Sequence, residues 1–236
     1  MMFKDYTQIE IPEGKVTKIM LGDTVLWVQP QVGNIPSAYQ EVEWIEAASG
    51  VGAYLDLGFA FDKACSIEIA VYNFAANTQT FGAAENSGKL RCMMTLPYKL
   101  DGDISVATFY GSSGTAAIEK TYGMISGKNE FKFSLKKGNV YVKREDNHSI
   151  VTDDRQGEYT MASNLLLLAQ NYNGTPRYAG TRRVYYFRYR DKNNDLICDL
   201  YPCYRKSDGV IGMYDKARGL FLTNAGTGSF TKGADV

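Results

Sequence analysis

One histidine, His148, is all the imidazole this chain contains, and it sits in the turn-forming stretch Asp146-Asn-His-Ser149. A serine–histidine–acid triad needs an imidazole held between a nucleophile and a carboxylate, and a histidine in such a turn is ill placed for that work. Excess charge is also missing: 26 Lys+Arg are matched by 26 Asp+Glu. A chain with no basic excess has no bulk grip on a polyanion, so no nucleic-acid partner is expected. No run of about 18 apolar residues occurs, so no membrane insertion is expected. The opening MMFKDYTQIE has no apolar core of the kind a secretory signal carries, and no export is expected. Only four cysteines occur, Cys65, Cys92, Cys198 and Cys203. In a reducing compartment they are expected as free, mostly buried thiols. Cys198 and Cys203 stand five apart across Pro202, which is not the close pairing of a zinc site.

What is present points to sheets. Tyrosine (17), phenylalanine (11) and glycine (23) are abundant, and 44% of the 236 residues are hydrophobic, enough for a sizeable core. Residues 65–72 alternate apolar with polar, as in a strand with one buried face. Further strands are expected at 80–84, 89–95, 104–110, 130–135, 140–143, 149–152, 184–189 and 196–201. Asn86-Ser-Gly88, Gly111-Ser-Ser-Gly114, Lys137-Gly-Asn139, Asp191–Asp195 and Ser207-Asp-Gly209 supply turns between them. Leu165–Leu168 is an unbroken apolar run, expected of a strand covered on both faces. Strands at this spacing read as a sandwich or barrel, with room for one short helix at 157–163.

Near the beginning, Val16–Leu21 and Thr24–Val28 flank Gly22-Asp23, a two-residue hairpin signal. So short a hairpin buries little by itself and must dock on something else. Pro30 and Pro36, with a glycine between them, interrupt helix and sheet alike. The expected organisation is a hairpin module at 1–30, a linker at 31–37 and a large all-β domain at 38–236.

Several phrases are family-like. Asp199-Leu-Tyr-Pro-Cys-Tyr-Arg-Lys-Ser-Asp-Gly209, Gly212-Met-Tyr-Asp215 and Thr223–Val236 resemble "DLIPCYRKSDGVIGMYD…FYTNAGTGTFTKGPDV", with Tyr201 and Leu222 as small departures. Tyr39-Gln-Glu-Val-Glu-Trp-Ile-Glu46 resembles "YQEVEYIES", and Ala53-Tyr-Leu-Asp-Leu-Gly58 resembles "QYIDTG". Residues 11–27 resemble the hairpin phrase "IPEGxVxKIxxGDxVLW". These are phrases of concanavalin A-like, laminin-G-like jelly-roll domains in tailed-phage and prophage structural proteins of tail, baseplate or head decoration. The resemblance implies an antiparallel two-sheet jelly roll. It implies a virion location, attachment to other virion proteins through the hairpin, assembly as a homo-oligomer in the bacterial cytoplasm, and binding of host-surface carbohydrate. Its rivals are a decoration protein without ligand, a glycan-degrading enzyme, and a cell-surface lectin, which would need an export signal.

Each of these readings needs a different set of residues. Glucanase-like enzymes of this fold carry paired carboxylates in an E-x-D-x-E pattern on one strand face. Here Glu41 and Glu43 share a face of the expected strand, but Ile45 holds the third place and Glu46 points the other way. No catalytic residue is expected. Calcium, which many laminin-G-like domains bind, would need several oxygens; Asp101-Gly-Asp103, Asp153-Asp154 and Asp191–Asp195 lack a defined loop spacing and read as turn aspartates. No cofactor or metal site is assigned. Gly111–Thr115 and Gly226-Thr-Gly228 lack the lysine of a phosphate loop. Asn147-His-Ser149 and Asn173-Gly-Thr175 are glycosylation sequons without a secretory route. Trp44 reads as packing. Sugar recognition needs an aromatic ring beside amides or charges. Asn171-Tyr-Asn-Gly-Thr-Pro-Arg-Tyr178, a polar aromatic loop, supplies the expected site: Asn171, Tyr172, Asn173, Arg177 and Tyr178.

Overall fold

The computed structural model describes residues 18–21, 24–28, 35–47, 52–60, 65–73, 79–85, 90–95, 105–111, 117–121, 129–134, 140–144, 149–153, 161–177 and 179–236. The chain falls into two compact units, 1–34 and 35–236. In the first, β1 (Lys18–Leu21) pairs antiparallel with β2 (Thr24–Val28), with Leu21 opposite Thr24.

The second unit opens with β3 (Tyr39–Glu41), β4 (Ile45–Ala47), β5 (Leu55–Ala60), β6 (Ser66–Asn73) and β7 (Gln79–Glu85). Next come β8 (Leu90–Thr95), β9 (Ser105–Gly111), β10 (Ala117–Thr121), β11 (Asn129–Ser134), β12 (Val140–Arg144) and β13 (Ser149–Asp153). It closes with β14 (Asn164–Leu167), β15 (Gln170–Tyr172), β16 (Thr175–Arg177), β17 (Arg182–Arg190), β18 (Leu196–Arg205), β19 (Ile211–Asp215), β20 (Leu220–Thr223) and β21 (Phe230–Lys232). No helix occurs among the described residues, and 161–163 are not helical; the rest of the stretch where a helix was expected, 157–160, lies outside them.

These strands make two sheets. The smaller runs β10-β9-β8-β7-β14-β5, with β15 and β16 attached at β7; the larger runs β13-β12-β11-β6-β17-β18-β19-β20, with β3, β4 and β21 at its side. Pairing is antiparallel apart from β15 against β7. The fold is the expected all-β, two-sheet jelly-roll sandwich. Leu55, Leu57, Phe81, Ala83, Leu165 and Leu167 of the smaller sheet face Ile67, Ile69, Val71, Phe187, Leu200 and Met213 of the larger in one buried cluster. Each such large side chain contributes roughly 1.5–3 kcal/mol by leaving water. Phe81 meets Phe187 edge-on at 6.1 Å, and Phe59 meets Tyr189 at 4.8 Å. The run Leu165–Leu168 is buried throughout, as its unbroken apolarity predicted. Cys65, Cys198 and Cys203 are buried free thiols.

Two irregularities matter for the surface. Glu41–Glu46 is not one strand: it breaks at Glu43 and Trp44, so Val42, Ile45 and Ala47 all point inward and the expected alternation does not run through. The shared face expected for Glu41 and Glu43 is therefore absent as a strand feature. In β17 a bulge falls between Val184 and Tyr186. Before it Arg182 and Val184 are buried; after it Phe187 and Tyr189 are. One extra residue shifts the phase of the strand and turns Tyr186 and Arg188 outward.

The two family-like ends of this unit are hydrogen-bonded neighbours. β21 pairs with β4, Val42 bridges Asp235, and the Val236 amide donates to the Glu41 carbonyl at 3.0 Å. Asn224 clamps the approach: its Oδ1 accepts from the Tyr54 and Gly226 amides at 3.1 and 2.9 Å, and its Nδ2 donates to the carbonyls of Gly226 and Gly228. A Cβ on Gly226 would lie 1.6 Å from the Gly52 carbonyl oxygen, so only glycine fits there.

Candidate functional site

The expected sugar loop is built differently from its reading as a loop. Residues 170–172 and 175–177 are the paired strands β15 and β16, and only Asn173-Gly174 turns between them. Both have positive φ, 49° and 82°, the geometry of a tight hairpin turn that Asn-Gly favours. Asn171 is buried and its side chain works within the chain: Nδ2 donates to the Asn164 carbonyl at 2.9 Å, and Oδ1 accepts from the Gly174 amide at 2.8 Å. The Asn173 amide donates to the Ala84 carbonyl. Arg177 lies over the Tyr172 ring at 4.1 Å, covering that face. Tyr178 lies outside the described residues. The hairpin thus brings Tyr172 and Arg177 together, while Asn171 holds the turn.

A larger arrangement lies on the outer face of the larger sheet, on four adjacent strands. Register sets Lys132 of β11 opposite Glu68 of β6, Glu68 opposite Arg188 of β17, and Arg188 opposite Asp199 of β18. The charges alternate, and each meets its neighbour: Lys132 Nζ is 2.9 Å from Glu68, Arg188 Nη1 is 3.9 Å from Glu68, and Arg188 Nε donates to Asp199 at 2.8 Å. Arg188 Nη2 donates to the Tyr201 hydroxyl at 2.9 Å. Its guanidinium stands 5.0 Å from the Tyr186 ring and 5.9 Å from the Tyr201 ring, within cation–π reach of both.

Electrostatics lock this centre. Burial alone would lower the Arg188 pKa, but hydrogen bonds to Asp199 and Tyr201 and the nearby negative charge raise it, so the cation is permanent. Burial pushes Tyr186 well above the usual tyrosine range, and the charges of Glu130 and Glu68 and a hydrogen bond with Glu130 push it further. Its hydroxyl therefore stays protonated. Arg188 is still 34% exposed, so the network faces solvent.

The sequence reading missed this row, although each charged member had a signal. Glu68 stands between Ile67 and Ile69, Lys132 between Phe131 and Phe133, Arg188 between Phe187 and Tyr189, and Asp199 between Cys198 and Leu200. A charge flanked by two apolar residues marks the outward slot of a half-buried strand. Which slots become neighbours depends on register, and that was not readable.

Other candidates have structural roles. Glu46 pairs with Arg183 at 2.7 Å, and Arg183 covers the Trp44 ring at 4.2 Å. On another side a Cβ on Gly233 would meet Trp44 Nε1 at 2.8 Å, so this tryptophan is packed between neighbours. Asp191 Oδ1 accepts from the amides of Asn193 and Asp195, each at 2.9 Å, which accounts for that acidic turn. Among the described residues no group of three or more histidine, cysteine, aspartate or glutamate side chains could hold a metal ion. Asp101, Asp103, Asp154 and His148 lie outside them.

The fold and the row define a β-sandwich with a polar, aromatic outer face. No protein-family model matches this sequence, and no curated protein matches it. Among solved structures the chain is similar to a heptameric SAP-like pentraxin from Limulus polyphemus, at 12% identity and TM-score 0.48, over 65% of this chain and 77% of that one. It is similar to a presumed carbohydrate binding protein from Bacteroides ovatus, at 12% identity and TM-score 0.49, over 83% of this chain and 62% of that one. It is also similar to domains LG4-5 of the mouse laminin alpha1 chain, at 11% identity and TM-score 0.46, over 72% of this chain and 47% of that one. The fold assignment stands on the strand order and the shared core.

Proposed function

We propose that this chain is a carbohydrate-binding jelly roll, carried as an appendage of a tailed-phage particle, with its sugar site on the Tyr186–Arg188–Tyr201 face. One observation carries the reading. Two tyrosines and a fixed arginine are held together on an exposed sheet face by Asp199 and Glu68 before any ligand arrives. Tyrosine rings suit the apolar face of a sugar, and hydroxyl and guanidinium groups suit its hydroxyls. Donors already locked by ion pairs lose little further entropy on binding. Binding is favoured over catalysis because Glu68 and Asp199 are both engaged with Arg188. No cofactor is needed for such recognition.

The virion setting rests on the family-like phrases in the sequence. In it, residues 1–30 attach to other particle proteins, the sandwich meets host-surface glycan, and the chain forms a homo-oligomer. Many copies offset a weak single site.

The test is a glycan array and host cell-wall pulldown with the full chain, beside two variants, Tyr186→Ala/Tyr201→Ala and Tyr172→Ala/Arg177→Ala. Binding lost in the first and kept in the second supports this face. Loss only in the second moves the site to the hairpin. No binding by a folded wild-type chain leaves a decoration protein without ligand, and absence of the chain from purified particles removes the virion setting.

A further inference from the structure

Asn173-Gly174 is the one Asn-Gly pair in the sequence. Asparagine is a thermally labile side chain, and a following glycine has no Cβ to crowd the approach of its own nitrogen. The chemistry is an internal displacement. The Gly174 nitrogen attacks the carbonyl carbon of the Asn173 side chain, a new N–C bond closes a succinimide ring, and the bond from that carbon to Nδ2 breaks. The side-chain NH2 leaves as ammonia, taking the proton that the Gly174 nitrogen gives up. Water then opens the ring at either carbonyl. One opening gives aspartate; the other gives isoaspartate, in which the main chain runs through the side-chain carbon.

The fold exposes this pair and also restrains it. Asn173 and Gly174 are exposed at the tip of the β15–β16 hairpin, and a Cβ placed on Gly174 would meet nothing within 4 Å. Room and water for the reaction are therefore at hand. The nitrogen, however, is engaged: the Gly174 amide donates to Asn171 Oδ1 at 2.8 Å. Asn171 is held in turn. It is 8% exposed and donates from Nδ2 to the Asn164 carbonyl at 2.9 Å. Turning its carboxamide over would set NH2 against N–H and oxygen against carbonyl, so this orientation alone suits both partners. The Asn173 amide donates to the Ala84 carbonyl at 2.9 Å, which fixes the turn to β7. Ring closure must swing the Gly174 nitrogen toward the Asn173 side chain, and so must first break its bond to Asn171. Asn194, also exposed and at a φ of 75°, is followed by a similarly held amide: Asp195 N–H donates to Asp191 Oδ1 at 2.9 Å.

We propose that Asn173 is a latent site of self-modification by deamidation, and that Asn171 is the residue that keeps it unmodified. While the Asn171 carboxamide holds the Gly174 amide, the turn keeps its asparagine. Each opening of that bond exposes the pair to ring closure. The product fits the hairpin poorly. Isoaspartate adds a main-chain atom to a two-residue turn whose register sets Tyr172 opposite Thr175, and either product places a carboxylate at the tip. The change is not reversed by refolding, so the hairpin accumulates a record of how often it has opened. This inference is independent of the carbohydrate reading.

The test follows Asn173 in the full chain at pH 8 by peptide mass spectrometry, with isoaspartate told from aspartate by fragmentation. Wild type is compared in its native state and in denaturing guanidinium, beside native Asn171→Ala, whose folding is checked by a cooperative thermal transition. Native wild type is expected to deamidate at Asn173 at least about tenfold more slowly than the denatured chain, because the turn must open against its hydrogen bonds. Folded Asn171→Ala is expected to recover most of that factor. Wild type supplies a second measure that needs no variant and decides the matter if Asn171→Ala fails to fold. The Gly174 amide hydrogen should be protected from exchange, and deamidation should be suppressed at least as strongly, since both need the same bond broken. Native deamidation as fast as in the denatured chain, an unprotected Gly174 amide, or suppression weaker than the exchange protection overturns the proposal. So does a folded Asn171→Ala that keeps the wild-type rate at Asn173.

Discussion

Replacing Asp215 with asparagine is expected to weaken the sandwich at the Tyr-Asp-Lys-Ala-Arg-Gly turn between β19 and β20. The Asp215 side chain is fully buried, and four donors converge on it. Its Oδ1 accepts from the amides of Asp199, Ala217 and Arg218 at 3.0, 3.0 and 3.3 Å, and its Oδ2 accepts from Arg218 Nε at 2.5 Å. Arg218 passes the constraint on, donating from Nη1 to the Leu57 carbonyl in the other sheet at 2.6 Å and lying over Phe59 at 5.1 Å. Asparagine can keep the Oδ1 contacts, but it removes the charge and sets an NH2 against a guanidinium. Breaking one side of a buried ion pair costs about 3–5 kcal/mol. Arg218 is 23% exposed and recovers some hydration, so the lower end, about 3 kcal/mol, applies. For a unit of this size that is a fall of about 6–12 °C in Tm. Scanning calorimetry reads it directly. Arg218→Met should be destabilising as well, and the double variant should lose much less than the two single losses added together, because both disrupt one interaction. A fall under about 2 °C for Asp215→Asn, or additive losses in the cycle, would refute the reasoning.

Two further predictions follow from the packing. Gly226→Ala drives a methyl into the Gly52 carbonyl oxygen, which belongs to backbone and has little room to move, whereas Gly209→Ala meets open space and strains only a left-handed φ of 70°. Urea denaturation should show the first costing about 2–3 kcal/mol or more and the second about 1 kcal/mol; the reverse order would contradict the clamp at Asn224–Gly228. The thiol of Cys203 is pushed up to about 12 by burial, helped by the Glu41 charge and opposed by a hydrogen bond from the Tyr214 backbone. Cys203 should therefore resist maleimide at pH 8 in the native state, read residue by residue by mass spectrometry, and label on unfolding. Its folded pKa lies above its ordinary value of 9.0, so its contribution to stability is whole below about pH 9 and is lost as pH rises toward about 12. Native labelling at pH 8 would show that the site opens locally.

Much of the architecture was legible because it is local. Alternation at 65–72 and the unbroken run at 165–168 depend on which neighbours along the chain are apolar, and strand geometry turns that order into buried and exposed faces. Ser207-Asp-Gly209 declared its turn through residue chemistry alone: Gly209 has the positive φ that glycine allows, and the Asp208 carboxylate caps the Val210 amide. The hairpin at Asn173-Gly174 was legible as polar and aromatic, but not as two paired strands. The dipeptide specifies a turn, while the pairing of β15 with β7 comes from the rest of the sheet. The β10 strand went unread for the same reason: Ala117–Thr121 has little alternation and owes its place to pairing with β9.

Tertiary structure alone decided the candidate site. By itself the sequence determined that Glu68, Lys132, Arg188 and Asp199 would each stand on a strand's polar face, because each lies between apolar residues. It did not determine that they would stand side by side. Side chains repeat every two residues, so a one-residue slip sends a whole strand's polar set to the opposite face. Here a single bulge at Tyr185 makes that choice, and the hydrogen-bond register of β11, β6 and the consecutive pair β17 and β18, drawn from three separate stretches of the chain, then closes the row. Composition along the chain sets what each strand offers; only the packing of both sheets around the common core selects which strand is shifted, and so which residues meet.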